Sequence, residues 1–154
     1  MRPQIVPCTD DPDSAGFWEA AARHTLVIRA CRVCARPLHL PRQYCANCGS
    51  WDTEWRPVLG TGTLYSWTTL WRESMPAFPV PYTCVLVDLD DARDVRLVGY
   101  LEGVPDLEPG MPMRVRFEPV HGSTVILPQW EPIATGRGRA KRPRAPDRSG
   151  GGCG

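Results

Sequence analysis

Apolar residues near the start of the chain follow a helical spacing over a short segment. They occupy one face at the i, i+3, i+4 and i+7 positions, as Phe17, Ala20, Ala21 and His24. This spacing predicts a helix that is capped by Ser14 and ends at about Arg23, with Trp18 beside the apolar stripe. A helix of roughly three turns is too short to be stable alone, so it must dock either on its own domain or on a partner subunit.

Beyond this helix the chain changes to short runs with the composition of β-strands. Leu26–Ala30 is predicted to be a strand that leads into a pair of cysteines, and Trp51–Val58 is predicted to close this first module. Gly60–Gly62 separates it from a second module. The second module contains five β-rich runs, which are Leu64–Trp71, Tyr82–Leu89, Arg96–Leu101, Met113–Glu118 and Thr124–Leu127.

Five short strands without a long helix between them predict a small closed barrel. The five-stranded OB-fold is the commonest solution of this size, although an SH3-like barrel stays open from strand counting alone. Alternation along the strands leaves Leu86, Val98 and Tyr100 on the outer face. A patch of that kind is either covered by the helix or the C-terminal tail, or is an interface.

Composition agrees with a small, mainly β protein. Proline and glycine, with 17 and 14 residues, make up about a fifth of the 154 residues, against about 12% in average proteins, which disfavours helical bundles and coiled coils. No apolar run approaches the roughly 20 residues of a membrane span. The first thirty residues carry Asp10, Asp11, Asp13 and Glu19, where a secretory signal would have a basic start followed by an apolar stretch. We therefore expect a cytoplasmic protein without a membrane segment.

Charge is distributed unevenly along the chain. The net charge is +1, but the segment from Gly136 onward carries six basic residues against Asp147, so this tail is +5 and residues 1–135 are −4. Its other residues are mostly small or proline, which predicts a disordered basic C-terminal tail. The tail is either a solubilising extension or a basic arm for an acidic partner or polyanion.

Four of the seven cysteines form two CxxC pairs with ten residues between them. Two such turns facing one another present four thiolates tetrahedrally, which predicts a structural zinc ion bound by Cys31, Cys34, Cys45 and Cys48. Iron in a rubredoxin-like site is the alternative metal, because the spacing alone does not distinguish them. Four protein ligands leave no position for an activated water, so we expect no Lewis-acid catalysis at this site.

The surroundings of the cysteines refine this prediction. Four arginines close by in sequence are expected to offset the negative charge of the thiolates, and these are Arg29, Arg32, Arg36 and Arg42. Gly49 follows the second pair, where the backbone must turn towards sulfur, while Ala35 occupies the equivalent place after the first pair. We expect this departure to loosen the first turn without removing a ligand.

Residues for catalysis are hard to find in the sequence. The three histidines, His24, His39 and His121, belong to no catalytic motif, and the chain has no GxSxG, HExxH, P-loop or GxGxxG sequence. We therefore predict no active site in this chain.

Several segments together resemble a known family. They are Phe17-Trp18-Glu19, the two cysteine pairs with Cys48-Gly49-Ser50, the run Gly60-Thr61-Gly62-Thr63-Leu64-Tyr65-Ser66-Trp67, Pro81-Tyr82, and Gly110-Met111-Pro112-Met113-Arg114-Val115. In their order and spacing they resemble the acyl-CoA-associated zinc-ribbon plus OB-fold proteins, once catalogued as a domain of unknown function. The resemblance covers about residues 13–132.

The resemblance implies an N-terminal helix, a rubredoxin-like zinc ribbon and a five-stranded OB-fold barrel in a non-catalytic accessory subunit. Members of this family accompany thiolase-like enzymes, ketosynthase-like acyltransferases, MaoC-type enoyl-CoA hydratases and aldolases that shorten steroid side chains. The expected partner is thus a thiolase-like or aldolase subunit in a hetero-oligomer, and contact with acyl-CoA is indirect. The corresponding domains are 1–25 (helix), 26–59 (ribbon), 60–132 (OB-fold) and 133–154 (tail).

The predicted contact surface for the partner or its acyl-CoA consists of aromatic residues and one arginine. They lie in the helix and in the Pro-rich connection after the first barrel strand, and they are Phe17, Trp18, Trp71, Arg72, Phe78 and Tyr82. Prolines order such a loop in advance, so that less entropy is lost on docking. The alternative is that Phe78 only plugs the mouth of the barrel.

Binding of single-stranded nucleic acid is the competing function. Zinc ribbons and OB-folds both occur in such proteins, and Tyr65, Trp67 and Trp71 could stack with bases beside Arg72. The charge opposes this function, because a nucleic-acid groove must neutralise several phosphates while residues 1–135 carry −4.

Overall fold

The computed structural model describes residues 5–73 and 75–133. The basic tail that the sequence predicts to be disordered lies outside these residues, as does Cys153. One helix and eight strands follow one another in the described chain: α1 (Ala15–Ala22), β1 (Val27–Cys31), β2 (Pro37–Leu38), β3 (Thr53–Pro57), β4 (Thr61–Leu70), β5 (Tyr82–Leu89), β6 (Arg96–Glu102), β7 (Pro112–Pro119) and β8 (Ile126–Pro132).

The first module is a three-stranded antiparallel sheet in the order β2-β1-β3. The central strand β1 carries Cys31 at its end, where Cys31 pairs with Thr53 of β3. Strand β2 consists of two residues and was not predicted, because so short a run has no alternation to detect.

The second module is a five-stranded antiparallel sheet in the order β6-β5-β4-β7-β8. Strands β6 and β8 meet and close it, and there the backbone N–H of Tyr100 donates to Oε1 of Gln129 at 2.8 Å. The indole of Trp130 packs so tightly over Gly99 that a Cβ on this glycine would lie 2.5 Å from it. The predicted fold class, a mainly β chain with an N-terminal helix, a ribbon and a five-stranded barrel, is confirmed.

The last barrel strand was predicted in the wrong place. It runs over Ile126–Pro132 rather than Thr124–Leu127, so the strand continues through Pro128 and ends at Pro132. Strand β8 pairs through its backbone with β7 alone among the described strands. A proline can occupy such a strand because its missing N–H need not face a neighbour. The extension brings Trp130 into the core, where it is almost completely buried.

The predicted helix is present and docks on its own chain. It contacts β1 and β8, and its own residues Ala20 and Ala21 are buried. Gly16 lets the indole of Trp55 lie directly on the helix, since a Cβ at this position would be 2.1 Å from the indole nitrogen. Ser14 directly precedes the helix as predicted, but the predicted cap is wrong in that its side chain makes no capping hydrogen bond. His24 lies beyond the helix with a φ of 56°. Its ring stacks on that of Phe117, with the ring centroids 5.4 Å apart.

One hydrophobic core joins the two modules. Leu26 and Ile28 of the ribbon belong to the same buried cluster as Leu64, Val87 and Trp130 of the barrel. This shared core fixes the position of the cysteines relative to the barrel surface. Within the described residues, no helix is long and apolar enough to cross a membrane.

Candidate functional site

The first cysteine pair lies in a tight turn at the end of β1. The backbone N–H of Cys31 donates to the carbonyl of Arg36 at 2.9 Å, which closes the turn around Cys34. The second pair repeats this arrangement, with the N–H of Cys45 donating to Ser50 at 2.8 Å. The two turns therefore face one another as a matched pair.

The four cysteine sulfurs form a compact cluster. All four lie within 4.8 Å of one another, and the Cys31–Cys48 and Cys34–Cys45 sulfurs are each 3.6 Å apart. The corners of a tetrahedron with metal–sulfur bonds of about 2.3 Å are separated by about 3.8 Å, so the cluster has the dimensions of a four-thiolate site. Cys31 and Cys45 are buried, while Cys48 is exposed at the surface of the ribbon.

The electrostatics of the cluster favour a bound cation. The backbone N–H of Arg36, together with hydrogen bonds from the other thiols, lowers the pKa of Cys34 to about 6. The N–H of Ser50 favours the thiolate of Cys48 too, but desolvation and proton sharing with the other thiols raise the pKa of Cys48 to about 12. Four adjacent thiols cannot all ionise against their mutual repulsion, and a divalent cation removes that penalty.

The residues after the two pairs adopt the same backbone conformation. Gly49 has a φ of 73° and Ala35 a φ of 58°, both in the left-handed region. Ala35 thus reproduces the turn that glycine favours, at the steric cost of its Cβ. The first turn is strained at this residue rather than opened.

The nearby arginines approach the cluster less directly than the sequence suggests. Arg36 donates to the side-chain oxygen of Asn47 at 3.2 Å, and the Asn47 amide in turn lies 3.7 Å from the sulfur of Cys34. Arg32 pairs instead with Glu54 at 3.1 Å. Asn47 therefore brings a polar side chain to the sulfur of Cys34, and its position between Cys45 and Cys48 was the available signal.

The six predicted contact residues fall into separate places. Phe17 and Trp18 contact each other edge-to-face at 5.0 Å and line a cavity of about 210 Å³ between α1, the ribbon and β6. Trp71 follows β4 and is 70% exposed, next to the exposed Arg72. The structure brings Phe78 and Tyr82 together, with ring centroids 5.7 Å apart.

Tyr82 and Phe78 belong to an aromatic group on the outer face of the barrel. Tyr100 completes it, with centroids 5.6 Å from Phe78 and 5.5 Å from Tyr82. Tyr82 is only 7% exposed, so it supports Phe78 rather than offering a surface itself. Beyond this group Val98 is 69% exposed on β6, and helix α1 does not cover it.

The aromatic residues proposed for nucleic-acid stacking do not share one face. A bulge in β4 between Leu64 and Ser66 turns Tyr65 outward, where the guanidinium of Arg96 covers its ring at 3.7 Å. Trp67 packs against the core instead. The histidines are likewise dispersed: burial against β6 lowers the pKa of His39, while His24 packs on β7.

Comparisons with known proteins agree on both modules. Residues 18–54 match the family description "ChsH2, rubredoxin-like zinc ribbon domain", and residues 55–118 match "ChsH2, C-terminal OB-fold domain". A chain of the solved "Ltp2-ChsH2(DUF35) aldolase" is 34% identical, with a TM-score of 0.72 over 85% of this chain and 98% of that chain. A DUF35-family protein of unknown function from Sulfolobus solfataricus shares the fold at 16% identity, with a TM-score of 0.53 over 68% of this chain and 78% of that one.

A curated relative contains a similar segment within a longer protein. The "Probable enoyl-CoA hydratase alpha subunit" of Thermomonospora curvata is 40% identical over 103 residues, or 66% of this chain. This chain spans about a third, 32%, of the length of that relative. With both modules matched in order and a solved relative covered almost entirely, the chain belongs to the ChsH2 family of zinc-ribbon and OB-fold proteins.

Proposed function

We propose that this chain is a non-catalytic accessory subunit of a thiolase-like enzyme, such as an aldolase, that acts on acyl-CoA thioesters. The observation that carries the proposal is the match to a chain of the Ltp2-ChsH2 aldolase, of which this chain covers 98%. A protein of the same extent and fold is thus a component of a carbon–carbon cleaving enzyme. The hydratase relative supports the wider class of CoA-dependent enzymes.

The cysteine cluster supports a structural role within this subunit. We propose that Cys31, Cys34, Cys45 and Cys48 hold one zinc ion, since their sulfurs fit a tetrahedral four-thiolate site. Zinc bound by four thiolates crosslinks the two turns and stabilises the ribbon. Because all four positions are taken by protein sulfur, the metal does not activate water.

The partner surface proposed here centres on the connection between β4 and β5. Trp71 and Arg72 are exposed there, and Phe78 stands on a support made by Tyr82 and Tyr100. Large aromatic residues and arginine dominate the energetics of protein interfaces when a partner buries them. Trp71 is 70% exposed, so docking of the enzyme subunit at this connection would remove a large apolar area from water.

The proposal is tested by co-expression with a thiolase-like subunit encoded in the same genome. We expect the two chains to co-purify as a hetero-oligomer, measured by size-exclusion chromatography with light scattering. We also expect turnover of acyl-CoA substrate by the complex and none by this chain alone. Turnover by the purified chain alone would refute the non-catalytic role.

Two tryptophans with similar exposure test the surface. Trp71 is 70% exposed on the barrel and Trp51 is 72% exposed on the ribbon. We expect Trp71→Ala to weaken the complex by at least about tenfold, the effect of losing about 1.4 kcal/mol, and Trp51→Ala to leave it unchanged. Equal effects of both substitutions, or an effect of Trp51→Ala alone, would contradict this location while leaving the accessory role intact.

A further inference from the structure

We propose that this chain has a binding site for a small aromatic carboxylic acid where helix α1, the ribbon and strand β6 meet. The site is the cavity of about 210 Å³ that Phe17 and Trp18 line from the helix, and we call it the junction cavity. It contains none of the residues assigned above to the partner surface on the β4–β5 connection. The inference therefore does not depend on the enzyme subunit.

One wall of the junction cavity is a row of side chains across the ribbon sheet. Arg29 of β1 lies opposite Leu38 of β2 on one side and opposite Trp55 of β3 on the other. Residues directly opposite one another in antiparallel strands share a face of the sheet. The row thus places one cation between two apolar side chains, and the guanidinium of Arg29 lies over the ring of Trp55, 5.4 Å from its centroid.

The other walls of the junction cavity suit an apolar ring. Phe17 and Trp18 contact each other edge-to-face on the helix side, and Ile28 and Leu97 add aliphatic surface from β1 and β6. Apolar walls with a few polar groups favour a ligand that has an apolar body and one polar end. A cavity of about 150 Å³ holds benzene. The junction cavity, at about 210 Å³, therefore has room for a benzene ring and part of a short side chain.

Arg29 keeps part of its hydrogen-bonding capacity unused. Its Nε–H donates to Oγ1 of Thr53 at 3.0 Å, and an N–H of Nη1 donates to the carbonyl of Pro12 at 3.3 Å. These bonds engage two of the five N–H groups of a guanidinium. Asp13, the residue after Pro12, accepts from the backbone N–H of Gln43 instead. Among the described residues, no carboxylate oxygen lies within 4 Å of the Arg29 guanidinium nitrogens.

A carboxylate matches this polar end of the junction cavity. Arg29 is partly buried and carries a positive charge that no described ion pair offsets. Guanidinium N–H groups form short, charge-assisted hydrogen bonds with carboxylates, and a low-dielectric surrounding strengthens them. Ser14 lines the same cavity, and its hydroxyl makes no capping hydrogen bond with α1, so it can donate to the same group. The site therefore combines an aromatic pocket with donors for an anion.

Binding of phenylacetate to the zinc-loaded full chain tests the site. For a ligand of about ten non-hydrogen atoms we expect a dissociation constant of about 1 mM or below, measured by isothermal titration calorimetry. Phenylethanol, a neutral compound of similar shape, should bind at least about tenfold more weakly, because it lacks the charge that Arg29 recognises. In NMR spectra, phenylacetate should shift the indole N–H signals of Trp18 and Trp55 but not those of the exposed Trp51 and Trp71.

Two arginines of the ribbon separate recognition of charge from effects on folding. Arg56 follows Trp55 on β3 and therefore lies on the opposite face of the sheet. We expect Arg29→Gln to weaken phenylacetate binding at least about tenfold and to leave phenylethanol binding unchanged, which reports intact apolar walls. Arg56→Gln should change neither affinity.

Four results would each overturn the proposal. They are no binding of phenylacetate up to about 10 mM, equal affinities for phenylacetate and phenylethanol, which would mark a purely apolar occupant, equal effects of Arg29→Gln and Arg56→Gln, and signal shifts confined to residues outside the junction cavity.

Discussion

The strained turn after the first cysteine pair leads to a prediction of unusual sign. Ala35 adopts a φ of 58° in the position that Gly49 occupies after the second pair. Replacing alanine by glycine normally destabilises a protein, because glycine gains more freedom on unfolding. At Ala35 we expect the opposite, since the substitution removes the clash of Cβ in the left-handed conformation.

The magnitude follows from two opposing terms. The left-handed conformation costs a residue with a Cβ about 1–2 kcal/mol. The greater freedom of glycine in the unfolded chain offsets about 0.4–1 kcal/mol of this stabilisation. Ala35→Gly should therefore raise the free energy of unfolding of the zinc-loaded protein by about 0.5–1 kcal/mol. Because folding of the ribbon is coupled to metal binding, zinc affinity should rise about two- to fivefold.

Two matched substitutions control this prediction. Gly49→Ala introduces a Cβ that, apart from residue 49 and its two chain neighbours, meets no described atom within 4 Å, but it imposes the same backbone strain, so it should destabilise the ribbon by a similar amount. Ala46→Gly, in the same module at a residue without a positive φ, should also destabilise it. The assay is urea denaturation at fixed free zinc, with chelator competition for affinity. The reasoning is refuted if Ala35→Gly destabilises the protein as much as Ala46→Gly does.

Three further predictions concern the metal and the packing. Cys45→Ser should abolish stoichiometric zinc, measured by elemental analysis, and lower the free energy of unfolding of the whole protein, because the ribbon shares its hydrophobic core with the barrel. Gly16→Ala should destabilise the protein by about 1–3 kcal/mol in denaturant titrations, because the added Cβ would lie 2.1 Å from the indole nitrogen of Trp55. Thr83→Val should cost about 1–2 kcal/mol in thermal unfolding, since the buried Thr83 hydroxyl donates to the Gly103 carbonyl at 2.9 Å and this acceptor would lose its partner.

The sequence alone determined the features that depend on local spacing. Each CxxC pair forms a tight turn that brings two sulfurs together. The four-sulfur cluster could therefore be predicted from the spacing of the cysteines. Short alternating runs between prolines and glycines likewise predicted a mainly β chain with a five-stranded barrel. The apolar stripe of α1 predicted the helix, because residues three and four positions apart lie on the same face of a helix.

Tertiary structure decided the features that depend on what lies across the fold. Pro128 is compatible with a strand because β8 has a backbone partner on one side among the described strands, which no local pattern reveals. Tyr82 is buried by rings from a loop and from β6, so its aromatic character did not predict exposure.

The bulge in β4 shows the physical reason most clearly. One extra residue at Tyr65 reverses the alternation. Leu64 and Trp67 therefore both pack on the core, although residues three apart in a regular strand lie on opposite faces. A bulge is fixed by the hydrogen bonds of two paired strands, and a period-two pattern read along one strand cannot locate it. The face that each aromatic residue presents, and hence the surface available to a partner, is set by pairing between strands distant in sequence.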